Sequence, residues 1–157
     1  MSREELFNVA KASFGICGGF FKDTAQEIGK EKALELYGKQ GDAFGEMLTG
    51  MLKEQLGGKE LDMKTFASVM TGALDGFGFS YQMDETPTHV KVTVHKCPLY
   101  EAYKAAGLDE GTVEAMCGKM STAEYGQIEK AFPGIKADVT FRPQPDAPCV
   151  EEFHLKK

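Results

Sequence analysis

The stretch that decides the fold is His89-Val-Lys-Val-Thr-Val-His-Lys-Cys97, in which apolar and polar residues alternate without interruption. Successive side chains of an extended chain point to opposite sides, so strict alternation indicates a strand with one buried face. One side carries Val90, Val92 and Val94, and the other carries His89, Lys91, Thr93, His95 and Cys97.

The neighbouring segments predict that this strand belongs to a hairpin and that a second hairpin follows. Phe79–Met83 also alternates, and the turn-forming segment Glu85–Thr88 separates it from the first strand. Near the other end of the chain, Ala137–Arg142 and Cys149–Leu155 read as strands joined by a turn at Pro143–Pro148. We therefore expect two antiparallel hairpins.

The rest of the chain predicts helices. Apolar residues recur at alternating steps of three and four along the first segment, with one longer step at the end, which indicates one buried helix face: Phe7, Ala10, Phe14, Cys17, Phe21 and Ile28. This pattern places Cys17 in the core. Further helices are expected at Glu31–Leu56, from the N-cap Asp62, from Pro98 to Gly107, at Glu110–Lys119, and from a Ser121/Glu124 capping box to Ala131.

This order of elements predicts an α+β fold, with N-terminal helices packed on a four-stranded antiparallel sheet and further helices between the two hairpins. A length of 157 residues favours one domain, 1–157. Its helical half covers residues 1–78, and residues 79–157 form the hairpin-helices-hairpin half.

Composition excludes several classes of function. The net charge is −6, and the only arginines are Arg3 and Arg142, so we expect no nucleic-acid partner. No apolar run approaches the roughly 20 residues of a membrane span, and the first residues do not resemble a signal peptide. We therefore expect a cytoplasmic protein without membrane association, in which the four cysteines are thiols or ligands rather than disulfides.

Three cysteines and a glutamate in the second half are candidate metal ligands. Cys97 ends a strand, Cys117 lies three residues after Glu114 on one predicted helix, and Cys149 begins the last strand. Thiolates and a carboxylate suit zinc, although the spacing is not that of a zinc finger. The alternative is that the thiols are buried and inert, since cysteine often packs as a small apolar residue.

The histidines and tyrosines allow fewer conclusions. His95 shares a strand face with Cys97, so it could be a ligand or a general base, or simply a solvated side chain. His89, next to the turn, is expected to be exposed, and His154 lies on the strand face opposite Cys149. Tyr100 could hydrogen-bond a ligand, with amphipathic packing as the alternative.

One known family matches these motifs. The run His95-Lys-Cys-Pro-Leu-Tyr-Glu-Ala-Tyr-Lys-Ala-Ala-Gly-Leu-Asp109, then Glu114-Ala-Met-Cys117, then Cys149 with Phe153 resembles the L-2-amino-thiazoline-4-carboxylic acid hydrolase family. The resemblance covers about residues 79–157. That family is similar to 4-vinyl reductase domains, which have helices on an antiparallel sheet and are often dimeric. The resemblance thus implies a homodimer and a zinc held by Cys97, Glu114, Cys117 and Cys149, with Glu151 or His95 as possible replacements for one ligand.

The resemblance also implies a function. The expected reaction is hydrolytic opening of a small thiazoline ring to N-carbamoyl-cysteine. Our own candidates for the chemistry are His95 as base, Tyr100 in a positioning role and Arg142 as the partner of the substrate carboxylate. Four protein ligands would close the metal site, so the zinc would hold the fold. One alternative is a non-catalytic small-molecule-binding domain of the 4-vinyl reductase type with a structural zinc. A purely structural subunit is a third reading.

Overall fold

The computed structural model describes residues 1–142 and 146–156. Within these residues the chain forms five helices and four strands, which confirms the α+β class. The helices are α1 (Arg3–Ile28), α2 (Lys30–Leu56), α3 (Met63–Gly76), α4 (Pro98–Ala105) and α5 (Glu110–Ala131). The strands are β1 (Ser80–Thr86), β2 (His89–Lys96), β3 (Ile135–Thr140) and β4 (Cys149–Leu155). No helix in the described part of the chain is long and apolar enough to cross a bilayer.

The four strands form one antiparallel sheet in the order β1-β2-β4-β3. Both predicted hairpins are present, and β2 and β4 pair with each other at the centre of the sheet. In that central pair Val94 lies opposite Cys149, and Val90 lies opposite Phe153. The predicted turn Pro143–Pro148 falls partly on residues 143–145, which lie outside the described residues.

Two strands extend beyond their predicted boundaries. β1 runs to Thr86, which pairs with His89, so only Pro87 and Thr88 form the turn. β3 begins at Ile135, because Ile135 already pairs with Leu155 at the far end of β4. The ladder of backbone hydrogen bonds lengthens both strands, and at Glu85 and Thr86 it extends strand structure into a segment that was predicted to be a turn.

The core lies between one face of the sheet and the helices. Val90, Val92 and Val94 are at most 2% exposed, as the alternation predicts. Phe66 of α3 packs on Phe153 of β4, with ring centroids 4.7 Å apart. The other sheet face carries polar residues, as expected for an antiparallel sheet covered on one side.

A second cluster of buried side chains joins α1, α2, α4 and α5. Tyr37 and Tyr103 share a hydrogen bond between their hydroxyl groups at its centre, where both rings are buried. Burial raises the pKa of each phenol, so both remain protonated across the physiological range.

The predicted break within the last helical region is wrong. α5 runs unbroken from Glu110 to Ala131, and Ser121 with Glu124 lies inside it rather than at a helix start. Gly41 and Gly45 allow α2 to pack directly on this part of α5. A Cβ atom on Gly41 would lie 2.4 Å from the Met120 carbonyl oxygen, and one on Gly45 would lie 2.3 Å from the Glu124 carbonyl oxygen. Tertiary packing against α2 therefore stabilises helix where the local pattern suggests an end.

The expectation that Cys17 is buried is also wrong, since Cys17 is exposed. The buried residues of α1 are Phe7, Ala10, Gly18 and Phe21. Gly18 packs against Tyr103, where an added Cβ would lie 3.1 Å from the ring. The buried stripe passes through Gly18 because the bulky Tyr103 ring needs a residue without a side chain, and this rotation turns Cys17 outward.

Candidate functional site

A cavity lies between the helices and the buried face of the sheet, around the ends of β2 and β4. Its volume of about 140 Å³ far exceeds the roughly 10–15 Å³ that one water molecule needs. Most of its wall is apolar, and eight polar or ionisable side chains on it come from α4 and its N-cap, α5, β4 and the residues after β3. These are Cys97, Tyr100, Cys117, Glu124, Tyr125, Arg142, Cys149 and Glu151.

Cys97, Cys117 and Cys149 line this one cavity. Cys97 is the N-cap of α4, where its Sγ accepts a hydrogen bond from the Tyr100 backbone N–H at 3.5 Å. Burial raises the pKa of Cys97 to about 12 and also raises the pKa of Cys117. These two thiols are therefore protonated at neutral pH, which makes them poor nucleophiles.

Two carboxyl groups line the same cavity. Glu151 lies on the inward face of β4, opposite Val92 of β2 and Val139 of β3. Glu124 reaches the cavity from the middle of α5. Charged groups are rarely placed at the centre of an otherwise apolar sheet face, because desolvation opposes their ionisation.

The surroundings of the two acids affect them differently. The Tyr125 hydroxyl donates a hydrogen bond to Glu151 Oε2 at 2.7 Å, which favours the ionised form, although burial still raises the pKa of Glu151. Burial, together with the nearby charge of Glu151, raises the pKa of Glu124 to about 8. The Tyr125 hydrogen bond therefore makes Glu151 the more easily ionised of the two acids, and Glu124 the one that holds its proton at neutral pH.

Arg142 adds a positively charged group to the lining. Its guanidinium carbon lies 3.9 Å from the centroid of the Tyr100 ring, a cation–π contact. The Tyr100 hydroxyl donates to Glu110 Oε1 at 2.7 Å, and burial raises the pKa of Tyr100 to about 12. Tyr100 therefore remains a neutral aromatic support for the Arg142 side chain.

The structure separates one of the four residues predicted to hold zinc from the other three. Glu114 is exposed and does not line the cavity. Three helical residues correspond to about 300° of rotation, so Glu114 points about 60° away from Cys117. In residues 1–142 and 146–156, one group of three or more ligand-type side chains has all donor atoms within 4.8 Å of one another, and it contains no cysteine.

His95 does not reach the cavity. It is exposed on the outer face of the sheet, where its Nε2 lies 3.3 Å from Gln82 Oε1. The expectation that His95 and Cys97 share a face is wrong because β2 ends at Lys96 and the chain turns into α4. His89 is partly buried rather than exposed, since its ring stacks on His154.

Sequence reasoning did not identify the acidic pair as a site. Strand alternation puts Glu151 on the same side as Cys149 and Phe153, and a charged residue on an inward face was an available signal. Glu124 carried no comparable signal, because Ser121-Thr-Ala-Glu124 matches a capping box. Only the tertiary contact between α5 and β4 brings the two acids to one cavity.

These features define a class of protein: an α+β domain with a largely apolar cavity whose lining includes two carboxyl groups and a guanidinium group. The model of the L-2-amino-thiazoline-4-carboxylic acid hydrolase family matches residues 10–139, so the chain belongs to that family. The match includes most of the helical half and the motifs from Cys97 to Cys117, and it ends before Cys149. It does not test the further relation to 4-vinyl reductase domains, which stays a prediction. In a comparison with curated proteins, no relative matched this chain.

Proposed function

We propose that this domain hydrolyses a small cyclic imine-type acid resembling L-2-amino-thiazoline-4-carboxylate. The observation that carries the proposal is that Glu124, Glu151 and Arg142 line one largely apolar cavity. Two acids with different protonation states provide a general base and a general acid, and the guanidinium matches a substrate carboxylate. Membership of the hydrolase family supports the same reaction type.

The proposed reaction begins with addition of water. Ionised Glu151 takes a proton from water as the water oxygen bonds to the ring carbon of the C=N group. Glu124 gives its proton to the ring nitrogen, which receives the electron pair of the C=N π bond. The product of this step is a tetrahedral carbon that carries a hydroxyl group, the amino group, the ring nitrogen and the ring sulfur.

The second step opens the ring and restores both acids. The hydroxyl proton returns to Glu124 as the carbonyl forms, and the carbon–sulfur bond breaks. The sulfur takes the proton that Glu151 holds. One water molecule has then been added, and the product is an N-carbamoyl amino acid with a free thiol. The apolar remainder of the wall limits competition from bulk water and strengthens these electrostatic contacts.

Arg142 provides the proposed anchor for the substrate carboxylate. A planar guanidinium binds a carboxylate through two parallel hydrogen bonds. The Tyr100 ring supports the side chain, so Tyr100 acts as a positioning residue. Within the described part of the lining Arg142 is the one basic residue, which leaves no second cation there for this role.

A turnover assay tests the proposal. Conversion of L-2-amino-thiazoline-4-carboxylate is followed by the appearance of free thiol and by mass spectrometry of the product. Glu151→Gln should lower kcat at least 100-fold, since general base catalysis contributes on the order of 10² to 10⁴. The exposed His95→Gln is the matched control and should retain wild-type rates. Failure of the wild-type protein to turn over this substrate would reject the thiazoline assignment.

A second candidate function is non-catalytic binding of an apolar small molecule. Five phenylalanine side chains on the cavity wall favour this function: Phe14, Phe44, Phe77, Phe79 and Phe141. Ligand affinity and turnover, measured on wild type and Glu151→Gln, distinguish the two functions. A binding domain retains an aromatic ligand with unchanged affinity in Glu151→Gln and turns over no thiazoline substrate.

We also propose that the protein is a cytoplasmic homodimer. α1 exposes Val9, Ile16 and Phe20, with Phe20 74% accessible, and exposed apolar side chains on one helix are typical of protein interfaces. The four cysteines are free thiols, which suits a reducing compartment. Light scattering of the wild type and of Phe20→Glu tests the dimer. A mass of one chain for the wild type would reject it.

A further inference from the structure

A cluster of potential metal ligands lies on the sheet face opposite the cavity. His89 of β2 and His154 of β4 are direct cross-strand partners, and their rings stack with centroids 4.5 Å apart and an interplanar angle of 18°. Glu152 precedes His154 by two residues and therefore lies on the same strand face. Its Oε1 is 3.3 Å from His89 Nε2.

The geometry points to a divalent transition-metal site formed by His89, Glu152 and His154, and we propose zinc as its ion. One donor atom from each side chain lies within 4.8 Å of the other two. Donors bound to one zinc ion in tetrahedral geometry, at about 2.0–2.1 Å from it, are separated by roughly 3.3 Å. Small rotations of partly exposed side chains close the remaining difference.

The donor set has the composition of a zinc site with an open position. Two imidazoles and one carboxylate, completed by water, are ligands that zinc accepts in four-coordinate sites. Imidazole nitrogen also favours this group of metals over magnesium or calcium, which prefer oxygen ligands.

The Nε2 atom of His89 also favours a bound cation. Its Nε2 atom is enclosed by the protein and has no hydrogen-bond partner, although Glu152 is close. A polar atom in that condition is costly, and a bound cation would satisfy it. An ordinary solvated pair of surface histidines would keep this nitrogen in contact with water.

Such a site is independent of the proposed hydrolysis. Glu152 and His154 point away from the cavity that Glu151 lines, because neighbouring residues of a strand face opposite sides. A metal held by His89 and His154 would join β2 to β4, the two central strands. Its expected effect is stabilisation of the sheet in proportion to metal concentration.

Metal titration tests the site directly. Zinc chloride is added to the metal-free full chain in a calorimeter, and cobalt(II) serves as a spectroscopic probe. We expect one zinc per chain, and visible cobalt bands without the near-ultraviolet charge-transfer band of a cobalt–thiolate bond. His154→Gln and His89→Gln should each weaken zinc binding at least tenfold, and Glu152→Gln should weaken it measurably.

His95→Gln is the matched control, since His95 lies on β2 outside the cluster. It should bind zinc as the wild type does and show the same rise in melting temperature with zinc. Absence of zinc binding by the wild type would overturn the proposal. Equal affinity in His154→Gln and wild type would also overturn it, as would a cobalt–thiolate band on the first equivalent of metal. Circular dichroism of each variant checks that the sheet is intact.

Discussion

The hydroxyl of Tyr125, on α5, donates a hydrogen bond of 2.7 Å to Oε2 of Glu151, on the inward face of β4. This contact links the helix that carries Glu124 to the strand that carries Glu151. It also favours ionisation of Glu151, against the effect of burial, which raises the pKa of this carboxyl. The acid and base roles of the proposed hydrolysis depend on Glu151 being more easily ionised than Glu124.

Replacing Tyr125 by Phe should therefore raise the pKa of Glu151 further and shift the acid limb of the pH–rate profile to higher pH. The loss of a hydrogen bond to a charged group should also lower the free energy of unfolding by about 1–3 kcal/mol. The measurement is kcat as a function of pH, with urea unfolding on the same samples. Tyr81→Phe is the control, since that hydroxyl donates to Asp75 outside the cavity. An unshifted profile in Tyr125→Phe would contradict the assignment.

Arg142→Lys should raise KM about tenfold with a smaller change in kcat. Lysine keeps the charge but loses both the paired hydrogen bonds to a carboxylate and the stacking on Tyr100. Steady-state kinetics with the thiazoline carboxylate, and with its analogue that lacks the carboxylate, measure this effect. The analogue should bind both proteins equally. Arg3→Lys, which alters an exposed ion pair with Asp75, should leave KM unchanged.

Glu124 should make the protein less stable as the pH rises. Its pKa is about 8 in the folded state against the ordinary 4.5, so the unfolded chain ionises first. The stabilisation that protonated Glu124 contributes is complete below about pH 4.5 and lost above about pH 8. Between these two values the free energy of unfolding falls by up to about 1.4 kcal/mol per pH unit. Urea unfolding from pH 5 to 9 measures this slope.

Glu124→Gln should remove that part of the slope and leave the protein more stable than the wild type at pH 8. The control is Glu114→Gln, on the exposed side of the same helix, which should retain the wild-type slope. Parallel stability curves for wild type and Glu124→Gln would show that Glu124 is ionised in the folded protein.

Gly45→Ala should be destabilising by at least about 1–3 kcal/mol, because the new Cβ would lie 2.3 Å from the Glu124 carbonyl oxygen and force α2 away from α5. The same shift should reduce turnover by moving the helix turn that carries Glu124. In the same helix, Gly50 has open space around its Cβ position, so Gly50→Ala should be neutral or stabilising by up to about 1 kcal/mol. Equal melting temperatures for the two variants would refute the close packing.

The strands were predictable from sequence because burial of one face of a strand produces an alternation of apolar and polar residues. Val90, Val92 and Val94 alternate with polar residues, and all three are buried. α1 was predictable as a helix, but its rotation was not, since it depends on the contact between Gly18 and the Tyr103 ring. Spacing in a helix gives the period of a buried stripe and leaves its exact position open by one residue.

The site was predictable in part. The cysteines that end or begin elements, Cys97 and Cys149, do reach the cavity together with Cys117. Glu114 and His95 do not, because their directions depend on helix rotation and on the point where β2 turns into α4. Glu124 became a cavity residue only through the packing of α5 on α2 and β4. Local sequence contains no record of that contact.

The most direct test of the central claim is a crystal structure of Glu151→Gln soaked with L-2-amino-thiazoline-4-carboxylate. The variant should retain the ligand because it lacks the base that activates water. We predict density for the ligand in the cavity, with its carboxylate on Arg142 and its C=N carbon facing residue 151. A cavity without ligand at saturating concentration, or a ligand bound elsewhere on the chain, would contradict the account.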